Sequence, residues 1–423
     1  MGITPGAAVL CVIGAGWLLP ALASAQAAAP RALTLAEARA MAQQSSPELE
    51  AARQSLAAAA ARRRQAGAFA NPTLSYSREQ TSRDGDASSQ DIVAVDQPFE
   101  IGGQRGARRA AAEAMHRAAE ARHAGTAARV AYDVTRSYAA SVAAHRRAAL
   151  AGTAAEAFQR AARVSRTRLA GGDISGYENR RLLLEAARYA ALSAQAVVAR
   201  DSADRMLASL LGLADSAGFQ GTLHLVDTLL PPPLALRADS MVALAITNRA
   251  ELRAAALDAE AAEFEARLSR AERIPTPVLT GGYKHERIAA GVSASGFVAG
   301  VAFPLPIWDR RGGAVDAARA EAARRDAEVD VLRRETVREI GGALESHGAL
   351  AAQLETLQSQ LGEEAGKALA AAETAYAEGE IGLLEWLDSV RAYHEAETTW
   401  TTLRAEYIAR RAALERLTGA TLF

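Results

Sequence analysis

The sequence predicts a mainly α-helical protein with a small β part, built from long helical hairpins and four strands. Three observations lead to this fold class. Two very long Ala-rich segments contain no proline, four strand-like runs have about ten residues each, and the chain repeats itself at an offset of about 205 residues. Only 5% of the 423 residues are aromatic, which suits helices that pack through Ala and Leu.

The internal repeat consists of matched blocks that keep the same order in both halves of the chain. VDQPFEIGGQRGARRAAAEA (95–114) matches VAFPLPIWDRRGGAVDAARAEA (301–322), and TRLAGGDISGYENRR (167–181) matches TAYAEGEIGLLEWLD (374–388). The sequence therefore divides into a signal segment, a first structural repeat, a connector that contains three consecutive prolines and a second structural repeat, over residues 1–25, 31–212, 213–236 and 237–420.

Each repeat is predicted to contain a helix, two strands, a very long helix and a returning helix. Thr34 and Glu37 have the spacing of a capping box at the start of the first helix. Because the residue before proline avoids helical geometry, Pro72 and Pro275 are predicted to end the opening helices. The polar segment 81–90 is predicted to be the loop between the first two strands.

The long helix of each repeat is predicted to have about 65 to 70 residues, or roughly 100 Å at the rise of an α-helix. A glycine-centred break follows, and a helix of about 35 to 40 residues then returns along the first. Helices of this length need lateral partners, which predicts coiled-coil packing.

The first 25 residues carry no charge and end in Ala23-Ser24-Ala25, which predicts a cleaved secretory signal peptide. Cys11, the only cysteine, would leave with this peptide, so no disulfide and no thiolate metal site are predicted. No later segment approaches 18 uninterrupted apolar residues, so no transmembrane α-helix is predicted.

The remaining composition argues against several functional classes. A net charge of −1 does not favour nucleic acid as a partner. No combination of nucleophile, base and orienting group can be argued from spacing, so no enzyme activity is predicted. The seven histidines are scattered without ligand spacing, so neither a metal site nor a cofactor is predicted, and basic runs such as 62–64 are interpreted as solvated helix faces.

The strands indicate a membrane role of another kind. Each has about the length that crosses an outer membrane when tilted, and strands span lipid only as a closed barrel. One chain supplies four strands, whereas the smallest membrane barrels have eight. We therefore expect several copies to share one barrel above a helical tube. A periplasmic coiled-coil scaffold that never spans the membrane is the alternative from a different class.

The mature chain resembles the TolC family of outer-membrane efflux channels, most closely its CzcC-like heavy-metal branch. The resemblance rests on the twofold repeat and on LTLAEARAMAQQSSPELEAAR (33–53), ANPTLSYS (70–77) and DQPFEIGGQRGARRAAAEA (96–114). It implies a homotrimer whose twelve strands form one barrel in the outer membrane of a Gram-negative bacterium, with the helices extending into the periplasm. It also implies a periplasmic adaptor (membrane fusion) protein and an inner-membrane pump of the resistance-nodulation-division type as partners.

The two glycine breaks match the periplasmic tips of the helical hairpins in that family. Glycine is suited to such turns because it adopts positive φ without steric cost. The resemblance implies that the tips contact the adaptor through Gly172, Ile174, Ser175, Gly379, Ile381 and Gly382. A helix C-cap turn without any partner is the simpler interpretation of the same residues.

Two carboxylates follow the second break. Glu385 and Asp388 are three residues apart and share one helix face, where the helix dipole alone favours negative charge. The resemblance implies that they point into a closed periplasmic entrance, where three copies would form two stacked carboxylate rings selective for cations. It also implies that Tyr376 and Glu178 help to hold the entrance shut. A basic residue that takes part in some members is replaced here by Ile381, and Tyr376 could equally be a packing residue.

The sequence thus predicts the channel of a tripartite efflux system, a passive exit duct for heavy-metal cations. An outer component for drug efflux or type I protein secretion would have the same fold, and the substrate is not readable from this chain.

Overall fold

The computed structural model describes residues 32–83, 86–213, 222–226, 237–288 and 292–422. The predicted signal peptide and most of the predicted connector lie outside the described residues.

The described chain contains the same order of elements twice. The first series is α1 (Leu35–Ser45), α2 (Pro47–Ala66), β1 (Thr73–Arg83), β2 (Asp86–Pro98), α3 (Gln104–Gly171) and α4 (Gly176–Leu210). The second series is α5 (Ala238–Asn248), α6 (Ala250–Ala271), β3 (Val278–Ile288), β4 (Val292–Ala302), α7 (Gly312–Glu378) and α8 (Leu383–Thr418). The predicted fold class, mainly helical with a few antiparallel strands, is confirmed.

The opening segment of each repeat is where the prediction of one helix is wrong. Each contains two helices, because Ser46 and Arg249 adopt non-helical backbone angles between them. Pro47 occupies the first position of α2, where its missing N–H costs no hydrogen bond. Moreover, α2 ends before Gly67 and α6 ends at Ala271, so the later prolines do not terminate either helix.

The predicted polar loop at 81–90 is also wrong. Thr81 pairs with Ser88 and Arg83 pairs with Asp86, so the two strands continue through almost all of this segment. Polar side chains stay compatible with a strand when the sheet around them is solvated, and local turn propensity then misplaces the strand ends.

The long hairpins have the predicted dimensions. Helices α3 and α7 contain 68 and 67 residues, and the returning helices α4 and α8 contain 35 and 36. The capping box at the start of α1 is also confirmed, since Glu37 N lies 3.2 Å from Thr34 Oγ1 and Thr34 N lies 2.9 Å from Glu37 Oε2.

The four strands form one antiparallel sheet in the order β1-β2-β3-β4. The central pairing joins the two halves of the chain, with Val93 opposite Tyr283. Within this described sheet, β1 and β4 are edge strands, each paired on one side.

The helices pack in two sets along the molecule. Next to the sheet, α2, α3, α6 and α7 lie side by side in that order. Farther away, α3 packs against α4, α7 packs against α8, and α3 also contacts α8. The short helices α1 and α5 cover the middle, where the largest core cluster includes Val134, Tyr138, Leu207 and Tyr407.

Helix α4 differs from the other helices in its surface. It is long and apolar enough to cross a membrane by length and composition alone, and only 17% of its apolar window is buried within the chain. The same helix packs along α3, so its remaining apolar surface is a free face of a helical hairpin.

Candidate functional site

The sheet separates its side chains by polarity, because residues directly opposite each other in the register point to one face. One face carries large apolar residues from all four strands, which lie at neighbouring positions across the sheet. They are Leu74, Tyr76, Val93, Val95, Leu279, Tyr283, Phe297 and Val301. The other face carries small and polar residues at the same level, including Ser75, Asp96 and Thr280. Asp96 accepts a hydrogen bond from Thr280 Oγ1 at 2.5 Å, so the polar face contains its own hydrogen bonds.

The apolar face is uncovered within the chain. Leu74 is 73% exposed and Phe297 is 94% exposed, although residues of this kind are normally buried. Tyr283 and Phe297 make an edge-to-face contact with ring centroids 6.4 Å apart. A surface of this kind requires an apolar solvent or a partner, and the two edge strands require pairing if that solvent is lipid.

The tips of the hairpins are two equivalent turns. Helices α3 and α7 end at Gly172 and Gly379, and both glycines have φ +84°. The positive φ predicted for these turns is confirmed. This left-handed conformation costs an L-residue roughly 1–2 kcal/mol, so glycine is the residue that ends each helix cleanly.

The returning helices begin with matching caps. Ser175 and Glu178 form a capping box, with Glu178 Oε2 2.9 Å from Ser175 N. At the other tip Gly382 N lies 3.3 Å from Glu385 Oε2, so the backbone donates to the carboxylate without a side-chain cap in return. Glu178 and Glu385 are therefore both the third residue of their helices, and capping is a role that each performs within one chain.

The predicted entrance carboxylates lie on the exposed face of α8. Asp388 has 75% of its side chain exposed and lies 3.6 Å from Arg391. Glu385 is exposed on the preceding turn. The geometry is compatible with the predicted rings, since both carboxylates are exposed to solvent, where other copies or an ion could approach them.

Tyr376 belongs to an aromatic cluster that the sequence does not reveal. Its ring stacks on Trp386 with centroids 5.1 Å apart, and Trp386 contacts Phe158, which stacks on Tyr189 at 4.3 Å. These four rings come one each from α7, α8, α3 and α4, so they join both hairpins near the tips. Burial raises the pKa of Tyr376, with Arg168 and Glu178 acting in opposite directions. Within one chain, Tyr376 therefore stacks on Trp386 while Glu178 caps α4.

The residues predicted to contact an adaptor differ in exposure. Gly172, Ser175, Gly379 and Gly382 are exposed, whereas Ile174 and Ile381 are half-buried. Ile381 packs against the core that contains Trp386 and Leu387.

Sequence reasoning missed two exposed side chains at the tips. Tyr177 is 66% exposed and Leu384 is 51% exposed, and each is the second residue of its returning helix. The signal that could have found them is their equivalent position in the two repeats, two residues after Ser175 and Gly382.

A buried ion pair behind the tips was also missed. Arg391 of α8 binds Glu185 of α4, and the Glu185 side chain is only 10% exposed. The two residues are 206 positions apart, so no local pattern predicts their contact.

Comparison with known proteins is consistent with this geometry. Residues 241–420 match the family model described as Outer membrane efflux protein. The cobalt-zinc-cadmium resistance protein CzcC of Cupriavidus metallidurans is 28% identical over 93% of this chain and 91% of its own length. The predicted resemblance to outer-membrane efflux channels is confirmed.

A second resistance protein and the solved structures agree with this similarity. The nickel-cobalt-cadmium resistance protein NccC of Alcaligenes xylosoxydans xylosoxydans is 28% identical over 76% of this chain and 72% of its own length. The fold is similar to the CmeC outer membrane channel of Campylobacter jejuni, with a TM-score of 0.76 at 14% identity, over 91% of this chain and 85% of that one. These similarities confirm the predicted outer-membrane location.

Proposed function

We propose that three copies of this chain close a shared barrel and act as the passive exit duct of a pump–adaptor–channel system for heavy-metal cations. The observation that carries the proposal is the four-stranded sheet with one exposed apolar face, one polar face and two edge strands. Four strands cannot close around a pore, whereas three such sheets supply the strand number of a small membrane barrel. The apolar face then meets lipid and the polar face lines the pore.

The free surface of α4 supports assembly between copies. Leu184, Val198 and Met206 lie along one face of this helix and are all exposed. In water such an apolar stripe is stabilised when another helix covers it. Coverage by a neighbouring copy extends the row of helices within one chain into a closed tube.

The tips supply the docking surface for the adaptor. Small residues at each turn let another helical protein approach closely, and Tyr177 and Leu384 offer an exposed apolar anchor beside each turn. We expect photo-crosslinkers placed at Tyr177 and Leu384 to capture a periplasmic adaptor protein. A crosslinker at Arg129, an exposed residue of α3 roughly 65 Å from the tip, serves as the control.

Glu385 and Asp388 supply the cation-selective entrance of the assembled duct, with Tyr376 and Glu178 beside it. Their exposure in one chain leaves both carboxylates available to face their copies around a threefold axis. Rings of carboxylates favour cations over anions at a constriction.

The metal substrate is proposed from the named activities of the relatives, which are cobalt, zinc, cadmium and nickel resistance. The test is a deletion strain grown on Zn, Co, Cd, Ni, Cu and Ag salts and on a panel of antibiotics. We expect sensitivity to one or more divalent metals that the wild-type chain restores. Unchanged metal tolerance with lost antibiotic tolerance would overturn the metal assignment and support drug efflux.

A further inference from the structure

An arginine-rich groove lies beside the sheet, where α2 ends and α3 begins. It has a volume of about 920 Å³ and is lined by four arginines and one glutamate, namely Arg63, Arg64, Arg105, Arg109 and Glu113. The sequence shows only the run at 62–64, and the structure adds two further guanidinium groups from the neighbouring helix. The groove is thus a local concentration of positive charge built from two helix ends.

The charge in this groove is only partly neutralised. Arg63 lies 3.4 Å from Glu113, and Arg105 donates to the Gly67 carbonyl at 2.8 Å while its guanidinium lies 3.8 Å from the centre of the Phe69 ring. Arg64 and Arg109 are exposed, and neither has a carboxylate partner among the residues that the structure describes. The groove therefore has at least two guanidinium groups available for an anion.

The groove and a second cavity lie on different sides of the α2–α3 pair. Arg62, which precedes Arg63 on α2, lines a separate cavity of about 320 Å³. Residues of α2, α3, α6 and α7 all contribute to this cavity. Because all four helices contribute to this cavity, we assign it to the inside of the proposed tube. Arg64 and Arg109 lie on the opposite side of the α2–α3 pair and thus face outward.

Exposed apolar side chains mark the neighbouring membrane boundary. Phe69, Ile101, Leu305 and Trp308 lie in the segments between the strands and the helices, and Trp308 is 93% exposed. Trp in such positions is typical of the boundary between hydrocarbon and headgroups. The four arginines lie within about 8 Å of the helix ends, along the axis, and the headgroup layer extends roughly 5–8 Å beyond the hydrocarbon.

We infer that this groove binds the phosphate of an anionic phospholipid, such as phosphatidylglycerol, in the periplasmic leaflet of the outer membrane. Guanidinium groups form paired hydrogen bonds to phosphate oxygens, and the apolar boundary residues accommodate the acyl chains of the same lipid. Positively charged residues near an anionic surface add to membrane attachment. The inference rests on the proposed barrel, because only a membrane-inserted sheet places the groove at this depth.

The test is native mass spectrometry of the purified full chain with phosphatidylglycerol or phosphatidylcholine added at equal concentration. We expect the wild-type protein to prefer phosphatidylglycerol, and Arg64→Gln with Arg109→Gln to weaken its binding by about tenfold or more. The control is Arg163→Gln with Arg166→Gln. It removes the same charge from exposed positions of α3 roughly 80 Å away and is expected to leave the preference unchanged.

Three outcomes would overturn the inference: no preference of the wild type for phosphatidylglycerol, equal weakening in both variants, or displacement of the lipid by an equal concentration of inorganic phosphate. The assembly state and single-channel conductance of the same preparation separate this inference from the proposed function. A conducting trimer without lipid preference refutes the lipid site alone, and a monomer without conductance refutes the barrel as well.

Discussion

Single backbone positions determine where the long helices end. Gly379 adopts φ +84°, and the Glu380 amide donates to the Ala375 carbonyl at 2.8 Å to close the turn. Gly379→Ala is expected to destabilise the turn by about 1–2 kcal/mol, because the added Cβ disfavours this conformation.

Hydrogen exchange of the amides of residues 379 and 380 measures this effect. Gly366→Ala is the matched control, since Gly366 lies inside α7 with open space around it and alanine favours a helix interior. Faster exchange in Gly379→Ala and no acceleration in the control are expected. Equal exchange rates in the two variants would show that the positive φ of Gly379 does not determine the stability of the turn.

His347 introduces pH dependence at the level of one side chain. It is 4% exposed and packs against Tyr407 with ring centroids 4.6 Å apart. Burial, and secondarily the positive charge of Arg411, lowers the pKa of His347 from its ordinary value of 6.5.

The unfolded chain protonates His347 more readily than the native chain does. The stability that comes from burying neutral His347 is therefore fully present above pH 6.5 and is lost as the pH falls below that value. The thermal midpoint of the wild type relative to His347→Phe is therefore expected to be constant above pH 6.5 and to decrease below it. A constant difference between the two thermal midpoints across the whole pH range would contradict a buried, neutral His347.

The structural roles of single residues could be predicted from the sequence where local geometry determines them. Thr34 with Glu37, and the two tip glycines, follow from rules that span three or four positions. The aromatic cluster around Trp386 and the pair of Glu185 with Arg391 depend on the docking of separate hairpins, and a sequence pattern does not contain that information.

At the scale of elements, a buried ion pair connects the two hairpins. Arg391→Leu is expected to cost about 3 kcal/mol, because it leaves Glu185 buried with only the exposed Arg188, 3.7 Å away, as a partner. Glu185→Leu with Arg391→Leu restores most of this loss, since neither charge is then buried. Chemical denaturation of the wild type, the two single variants and the double variant measures the coupling energy between Glu185 and Arg391. Additive effects of the two substitutions would contradict this coupling.

The lengths of α3 and α7 were predictable because their sequences contain no proline and each is followed by a glycine-centred turn. The ends of the short elements were not. Polar residues at 81–90 favour turns locally, yet strand pairing extends through them, and Pro47 begins a helix although proline usually signals an end.

At the scale of the whole molecule, the proposed entrance predicts a conductance effect. Glu385→Gln with Asp388→Asn is expected to reduce cation preference in planar bilayers, because it removes two carboxylates from each of three copies. Glu378→Gln with Glu380→Gln removes the same charge from the other side of the tip turn and is the matched control. Unchanged selectivity in the first variant would refute the entrance role of both carboxylates.

The most direct test of the central claim is the native mass of the protein extracted from outer membranes in detergent. The wild-type mass is expected to correspond to three chains, and Val198→Asp, which places a charge on the exposed apolar face of α4, is expected to shift it to one chain. Val198→Leu keeps the surface apolar and should remain trimeric. A wild-type mass of one chain would contradict the shared barrel and the duct that depends on it.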